Sequence, residues 1–532
     1  MTELLTAAQM RMIESDAIAS GAVTGRELME RAGRGVLEAI FEEWPQLAAA
    51  PHRAAVVCGP GNNGGDGFVV ARLLADWGWQ VETFLYGDAE RLPPDARANC
   101  DRWRGMGGDV RPLDAFNEIP SEHPDVVIDA LFGTGLARGL DAGAAHAVGL
   151  MGIMRSWSPP VRVVAVDMPS GYCADSGRRL FDEPEVITRS VQRRPGADLT
   201  VTFERPRLGH RLDEAAQVVG RITVKPLGIR HEIDGPLQNS KTPIAKDCRV
   251  LPVWLQKAGE GQKYDHGHAL VLSGGAGRTG AARLAARGAL RIGAGLVTLG
   301  VPPAAQMEVA CQITAVMLRR VADAEALTGL LGDNRINALC LGPGLGVEEA
   351  QAALLTAALA SGRAAVLDAD ALTLIARDPA LFAALHENCV LTPHGGEFAR
   401  LFPDIAARLE AKPVTGPAYS KVDATRDAAA RAGSTVLFKG ADTVIAAPDG
   451  RCTVHSAQGD RAAPWLATAG AGDVLAGMIA GLQARGLAPD HAAETAAHLH
   501  VDCALSFGPG LIAEDLPEEL PRVLSRLLAM QG

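Results

Sequence analysis

Ala54-Ala-Val-Val-Cys58 runs directly into Gly59-Pro-Gly-Asn-Asn-Gly-Gly-Asp-Gly67 and then into Phe68–Trp77. The first piece reads as a short apolar strand, the second as a glycine-rich turn, the third as a helix. Upstream, Leu28, Ala32, Val36, Ile40 and Trp44 recur at helical spacing, as on an amphipathic helix packed on a core. Downstream, Gln80–Leu85, Val126–Asp129, Val161–Asp167 and Leu199–Phe203 read as further strands. Strands alternating with helical stretches predict an α/β fold whose parallel, or mostly parallel, sheet is covered on both faces.

The alternation fades between His231 and Gly261 and then resumes. His268–Leu272, Ala338–Leu341, Ala364–Asp368, Cys389–Leu391 and Thr435–Phe438 read as strands, and Thr443–Ala447 and Cys452–His455 flank a hairpin signal at Pro448-Asp-Gly450. Two α/β domains are therefore expected, over residues 1–235 and 236–532. The stretch Arg178–Pro195, rich in Arg and Glu, reads as an exposed loop.

A chain of 532 residues with 48% hydrophobic and 21% charged residues has the composition of a globular protein. Its net charge of −11 and lack of a basic block argue against a nucleic-acid partner. Nine scattered cysteines with no CxxC pair indicate neither a disulfide framework nor a zinc site. No basic-then-apolar leader and no run of about 18 apolar residues is present. A cytoplasmic protein acting on small molecules, with no membrane partner, is the expectation; a homo-oligomer is compatible with it, though oligomeric state is not readable.

Gly59-x-Gly61-x-x-Gly64 after a strand matches a dinucleotide fingerprint, a weak signal alone. A hydride-transfer site also needs an acidic residue closing the second strand. Only Asp88 is available, and Asn62, Asn63 and Asp66 are polar for a bare pyrophosphate turn. Two later strands, Val126-Val-Ile-Asp129 and Val163-Val-Ala-Val-Asp167, both end in Asp before a glycine-containing turn. In a parallel sheet such ends line one crevice, so Asp66, Asp129 and Asp167 can converge. Clustered carboxylates raise one another's pKa unless a cation intervenes, which predicts either a metal ion or a general base; the alternative is that each Asp only caps its own loop.

In the second half, Ala469-Gly470-Ala-Gly472-Asp473 opens into a helix. Free amides at a helix start make an anion site, yet Asp473 is itself an anion. Either it only complements the helix dipole, or it takes a proton from a hydroxyl while the amides stabilise a phosphoryl group. Gly274–Gly280, Gly342–Gly346, Asp368-Ala-Asp370, Thr392-Pro-His394-Gly-Gly-Glu397 and Lys439–Thr443 follow strands and are expected at the same sheet edge. His498 and His500, two apart on one helix, fall on different faces and read as ordinary helix residues.

Leu28-Met-Glu-Arg-Ala-Gly33, Gly59–Gly67, Asp129-Ala-Leu-Phe-Gly-Thr-Gly135, Asp167-Met-Pro-Ser-Gly171 and Ala197–Phe203 together resemble the NAD(P)H-hydrate epimerase family, in family order. The resemblance implies a Rossmann-like domain in which Asn62, Asn63, Gly64, Gly65 and Asp66, with Gly133, Thr134, Gly135, Leu136, Ala137, Arg138 and Gly139, hold the hydrated dinucleotide. It also implies potassium on Asn63, Asp129 and Ser170, and Asp167 at the substrate as base. Arg207 stands where that family usually has Lys, which keeps the charge but removes an exchangeable proton.

Lys263-Tyr-Asp-His-Gly267, Gly293–Val297, Gly342–Gly346, Asp368–Leu372, Pro393–Glu397, Lys439-Gly440 and Gly470–Asp473 are similar to the ribokinase-like ADP- or ATP-dependent NAD(P)H-hydrate dehydratases. The resemblance implies Ala281, Gly344, His394 and Asp473 at the hydrate, and Lys439, Gly440, Ala441, Asp442, Thr443 and Gly472 at the nucleotide. ADP, with Mg2+, is the expected co-substrate, and ATP the other option. Ala471 replaces the family's more usual Thr or Ser and loses one hydroxyl. Two rivals are a small-molecule kinase fused to a ligand-binding domain, and a first half serving as a non-catalytic scaffold.

Overall fold

The computed structural model describes residues 3–117, 123–181, 196–229, 242–250, 255–257 and 261–529. It divides into two compact units: Glu3–Ile244 with Lys412–Ser420, and Ala245–Ala411 with Lys421–Gly532.

In the first unit the strands are β1 (Arg53–Cys58), β2 (Gln80–Leu85), β3 (Val110–Pro112), β4 (Val126–Ala130), β5 (Arg162–Val166), β6 (Leu199–Phe203) and β7 (Arg221–Lys225). They lie in the order β3-β2-β1-β4-β5-β6-β7, every neighbouring pair parallel. Continuous apolar runs such as Val126–Ile128 form strands buried on both faces. One core cluster joins β1 to helices α1 (Ala7–Ala19), α2 (Gly25–Glu43) and α3 (Asn62–Asp76); another covers the opposite face with Val148, Met151 and Tyr172. Strand order reverses between β1 and β4, and a crevice at that switch point is where ligands bind in such sheets.

The glycine-rich turn is shorter than the sequence suggests. Gly61 is the N-cap of α3, so Asn62–Gly67 forms the helix's first turns rather than a loop ahead of Phe68. Close packing explains the glycines: a Cβ on Gly64 would lie 2.0 Å from the Gly59 carbonyl oxygen. Asp88 caps a short 3-10 turn, accepting from Glu90 N–H at 2.9 Å. Within Arg178–Pro195, Leu180 and Phe181 are buried, which corrects the exposed-loop reading there; residues 182–195 lie outside the described residues.

The second unit contains β8 (Ala245–Asp247), β9 (His268–Leu272), β10 (Leu296–Val301), β11 (Met317–Arg320), β12 (Ile336–Leu341), β13 (Ala364–Leu367), β14 (Cys389–Leu391), β15 (Thr435–Phe438), β16 (Asp442–Ala446) and β17 (Cys452–Ser456). Their order is β8-β17-β16-β15-β14-β13-β12-β9-β10-β11. The pairs β15–β16 and β16–β17 are antiparallel and the rest parallel, a ribokinase-like α/β arrangement. Its switch point lies between β9 and β12. Helices α4 (Gly280–Arg291), α5 (Gly395–Leu401), α6 (Lys421–Ala432), α7 (Ala471–Ala484), α8 (Pro489–Phe507) and α9 (Asp515–Ala529) supply the functional segments and part of the core. Among the described residues, no helix is long and apolar enough to cross a membrane.

Candidate active sites

At the first unit's crevice, Asp129 closes β4 and is buried. Its carboxylate accepts from Ser170 N at 2.8 Å, Ser170 Oγ at 2.6 Å and Leu131 N at 3.3 Å. Burial pushes its carboxyl up, and these bonds offset part of that rise. Ser170 Oγ also accepts from Phe132 N at 2.9 Å, which ties the pair to the loop that follows β4. In that loop a Cβ on Gly133 would stand 2.7 Å from Asn63 Oδ1 and 3.4 Å from Asp167 Cβ. Asn63, Gly133 and Asp167 are thus neighbours. The buried Asn63 Nδ2 has no hydrogen-bond acceptor. Exchanging the amide's O and N assignment would aim an oxygen there instead. Asn63, Asp129 and Ser170 are all oxygen donors, the chemistry a hard cation takes.

Asp167 follows β5 with φ +65°, a left-handed conformation uncommon for a residue with a side chain. Burial pushes its carboxyl up, but the Arg207 guanidinium and a bond from Thr202 Oγ1 at 2.8 Å outweigh burial and hold it below the ordinary value. Arg207 is 1% exposed; its Nε lies 3.1 Å from Asp167 Oδ1 and its Nη1 donates to the Arg205 carbonyl at 2.9 Å. His210 is driven down to about 4 by burial, so the ring is neutral. Its Nδ1 accepts from Arg207 N–H at 3.0 Å, which leaves Nε2–H to donate to the Asp167 carbonyl at 2.7 Å. Asp66, by contrast, is raised well above its ordinary value by burial, then by Glu14 and Asp167. Environments that push two carboxyls apart in this way mark an acid and a base.

Sequence reasoning missed Glu14, whose carboxyl is raised chiefly by burial and feels both Arg207 and Asp167. It also missed Lys412–Ser420. Thr415 bridges Arg138, Gly416 N–H donates to the Ala137 carbonyl at 3.1 Å, and Ala418 packs with Leu136, Cys173 and Leu180. The segment therefore backs the Gly133–Gly139 loop.

In the second unit Gly470, at φ +89°, is the N-cap of α7, and Asp473 falls in the helix's first turn. Burial raises the Asp473 carboxyl to about 6; Asp368, Asp370 and Glu397 add to the rise while Lys439 opposes it. Lys439 Nζ donates to Asp368 Oδ1 at 2.7 Å and lies 3.8 Å from Glu397 Oε2. A Cβ on Gly472 would come 3.6 Å from that same nitrogen. His394 caps α5 through Nδ1, and its Nε2 is 3.4 Å from Glu397. A Cβ on Gly344 would touch Ala281 Cβ at 3.5 Å, and Gly346 N–H donates to Asp370 at 2.8 Å. Ala281, Gly344, Gly472, Asp473, His394 and Lys439 therefore meet at one sheet edge. The hairpin after Lys439 is held from beneath: Lys421 Nζ donates to Asp442 at 2.8 Å and sits 4.4 Å over the Phe438 ring.

His498 and His500 face different ways. His498 is 3.5 Å from Asp502, whereas His500, neutral with a value near 4 through burial, donates from Nε2 to the Ala471 carbonyl at 2.9 Å. His500 thus braces the first turn of the helix that carries Asp473, a role that helical spacing alone does not signal.

Two families match this chain. The one described as YjeF-related protein N-terminus covers residues 25–209, and NAD(P)H-hydrate dehydratase covers residues 269–524. The bifunctional NAD(P)H-hydrate repair enzyme of Moorella thermoacetica is 35% identical, over 98% of this chain and 97% of its own length. This chain belongs to the bifunctional NAD(P)H-hydrate repair enzymes. The Coxiella burnetii repair enzyme is 32% identical over 97% of this chain and 98% of its own length. The NAD(P)H-hydrate epimerase of Rhodobacter capsulatus is 46% identical over 43% of this chain and 100% of its own. An ADP/ATP-dependent NAD(P)H-hydrate dehydratase from Bacillus subtilis, solved with ATP/Mg2+, is 27% identical with a TM-score of 0.42, over 51% of this chain and 93% of that one. As a repair enzyme the chain joins an NAD(P)H-hydrate epimerase to a nucleotide-dependent dehydratase, and a kinase fused to a scaffold is not favoured.

Proposed function

We propose that the two sites divide the repair of hydrated NADH and NADPH as follows. In the first unit Asp167, kept ionised by Arg207, is the base that moves the proton during interconversion of the R and S hydrates. Asp66, whose carboxyl is raised by burial, is the complementary acid. Asn62–Asp66 and Gly133–Gly139 hold the dinucleotide. Potassium would sit on Asn63, Asp129 and Ser170, where its charge balances the buried carboxylate.

In the second unit Asp473 removes the proton from the S hydrate's hydroxyl. That oxygen attacks the terminal phosphorus of ADP, and AMP leaves. The C–O bond then breaks and phosphate departs; the adjacent ring carbon gives up a proton, which the departing phosphate can accept, and the ring double bond returns. Hydroxide is a poor leaving group and phosphate a good one, which is why a nucleotide is needed. The amides of Gly470–Gly472 and Lys439 stabilise the migrating phosphoryl group, and Lys439–Thr443 with Gly472 hold the nucleotide. Ala281, Gly344 and His394 face the hydrate. Among the described residues no group of three or more His, Cys, Asp or Glu side chains forms a metal cage. A magnesium ion would therefore arrive on the nucleotide phosphates, as is usual for this ion. Nine free cysteines fit a cytoplasmic setting.

The observation that carries this reading is Asp473, raised to about 6 at an amide-lined helix start beside Lys439. A carboxylate with that value is ionised at neutral pH yet basic enough to accept a hydroxyl proton in the transition state. The test is restoration of NADH absorbance from a racemic hydrate with ADP. Wild type should consume both epimers. Asp473→Asn should lower the rate by about 10²–10⁴, and Asp167→Asn should leave one epimer behind. Consumption of only one epimer by wild type refutes the epimerase assignment.

A further inference from the structure

Helix α4 carries two stripes from one start. Ala281 turns toward Gly344 at the hydrate site. Gly280, Leu284, Arg287 and Arg291, spaced four, three and four residues apart, line a cavity of about 890 Å³. The cavity runs beside the start of the Asp473 helix: Leu284 lines it, and a Cβ on Gly470, that helix's N-cap, would stand 2.8 Å from Leu284 Cδ1. From Gly280 to Arg291 it follows the helix for roughly 16 Å at 1.5 Å per residue. Its apolar wall includes Leu290, Ile313 and Val316.

Its charge is distinctive in a chain with a net charge of −11. Lys257, Arg283, Arg287 and Arg291 line it against Glu514 and Glu518. Arg287 and Arg291 share the single carboxylate of Glu518. An elongated groove with an apolar wall and surplus cations suits a ligand with a flat apolar end and phosphates.

The substrate supplies such a group. Only the nicotinamide ring reacts at Asp473, and the adenosine phosphate half must lie elsewhere. We infer that this groove binds the adenosine phosphate half of the dinucleotide hydrate, with the purine against Leu290, Ile313 and Val316 and the phosphates at Arg283 and Arg287. The inference rests on the dehydratase reading of the second unit and assigns a subsite to it.

The experiment compares two substrates in the full-length chain with saturating ADP: the S hydrate of NADH and the hydrate of reduced nicotinamide mononucleotide, which lacks the adenosine half. Wild type should show a KM for the mononucleotide hydrate at least about tenfold higher, the value of one charge-assisted contact or more. In Arg283→Ala/Arg287→Ala that ratio should collapse toward one through a rise in KM for the dinucleotide, with KM for ADP unmoved. Val316→Trp, which narrows the groove without touching charge, should act in the same direction. Equal KM values for the two hydrates in wild type, or an unchanged ratio in both variants, overturn the groove assignment while leaving the dehydratase intact. Failure of wild type to dehydrate either substrate would instead overturn the reading beneath it.

Discussion

Lys439 Nζ lies 2.7 Å from Asp368 Oδ1, and this one cation stands among Asp368, Glu397 and Asp473. Asp368 is 2% exposed, so the lysine neutralises a carboxylate that water cannot reach. The same charge opposes the rise of the Asp473 carboxyl. Structure and chemistry are linked here through a single ammonium group.

A pH dependence follows. A base must be ionised, so dehydration should be lost as pH falls through about 6 and reach a plateau above it. Lys439→Met removes the positive charge that opposes the rise of the Asp473 carboxyl, so the acid limb should move up by about one pH unit. The variant also leaves Asp368 buried without its partner, at a stability cost of about 3–5 kcal/mol. Lys439→Met/Asp368→Asn relieves that cost and also removes the Asp368 charge that raises Asp473, so its limb should return to the wild-type position or below it. The measurement is kcat for the S hydrate from pH 5 to 8 at saturating nucleotide; a limb that stays near 6 in Lys439→Met contradicts the assignment of Asp473 as the titrating base.

The positions of Asp129 and Asp167 were legible because each stands where an apolar strand gives way to a glycine-containing turn, and that of Asp473 because a small-residue loop opens there into an apolar helix; parallel-sheet topology gathers such positions. The partners that tune them were not. Arg207 meets Asp167 across 40 residues, His500 reaches the Ala471 carbonyl from another helix, and Thr415 reaches Arg138 from far down the chain. None of these pairings has a local pattern. Edge strands were also hard to read: Met317–Arg320 and Arg221–Lys225 carry charge and partial exposure, so they lack the apolar run that marks Val126–Ile128. Asn62–Gly67 looked like a loop because glycine and asparagine disfavour helices, but packing against Gly59 overrides propensity.

Arg207 provides a direct test of the first site. Arg207→Met removes the positive charge that outweighs burial at Asp167, so that carboxyl should rise and epimerisation should fall by at least about tenfold at pH 7. Arg207→Lys keeps the charge while losing the Nη1 bond to the Arg205 carbonyl, and should retain much more activity than Met. Both variants should still dehydrate pure S hydrate with ADP, because Arg207 lies in the other unit. Chiral analysis of the residual hydrate measures the effect. Equal epimerase loss in Lys and Met would mean that guanidinium geometry, rather than charge, is what Asp167 requires.

Gly416 tests whether the Lys412–Ser420 segment matters to the loop it backs. A Cβ at this position would lie 2.3 Å from the Leu136 carbonyl oxygen, a backbone atom that cannot swing aside. Gly416→Val must therefore displace either the segment or the Leu136–Arg138 stretch, and with it the bond from Gly416 N–H to the Ala137 carbonyl. Asp129, Asp167, Ser170 and Arg207 lie on other segments, so the chemical groups remain. Loss should thus appear in substrate capture: KM for the R hydrate should rise on the order of tenfold, the scale expected when a positioning loop shifts by a fraction of an ångström. Dehydration of pure S hydrate, followed in the same sample, controls for the fold of the second unit. A KM within error of wild type would show that the Gly133–Gly139 loop holds its substrate conformation without this support.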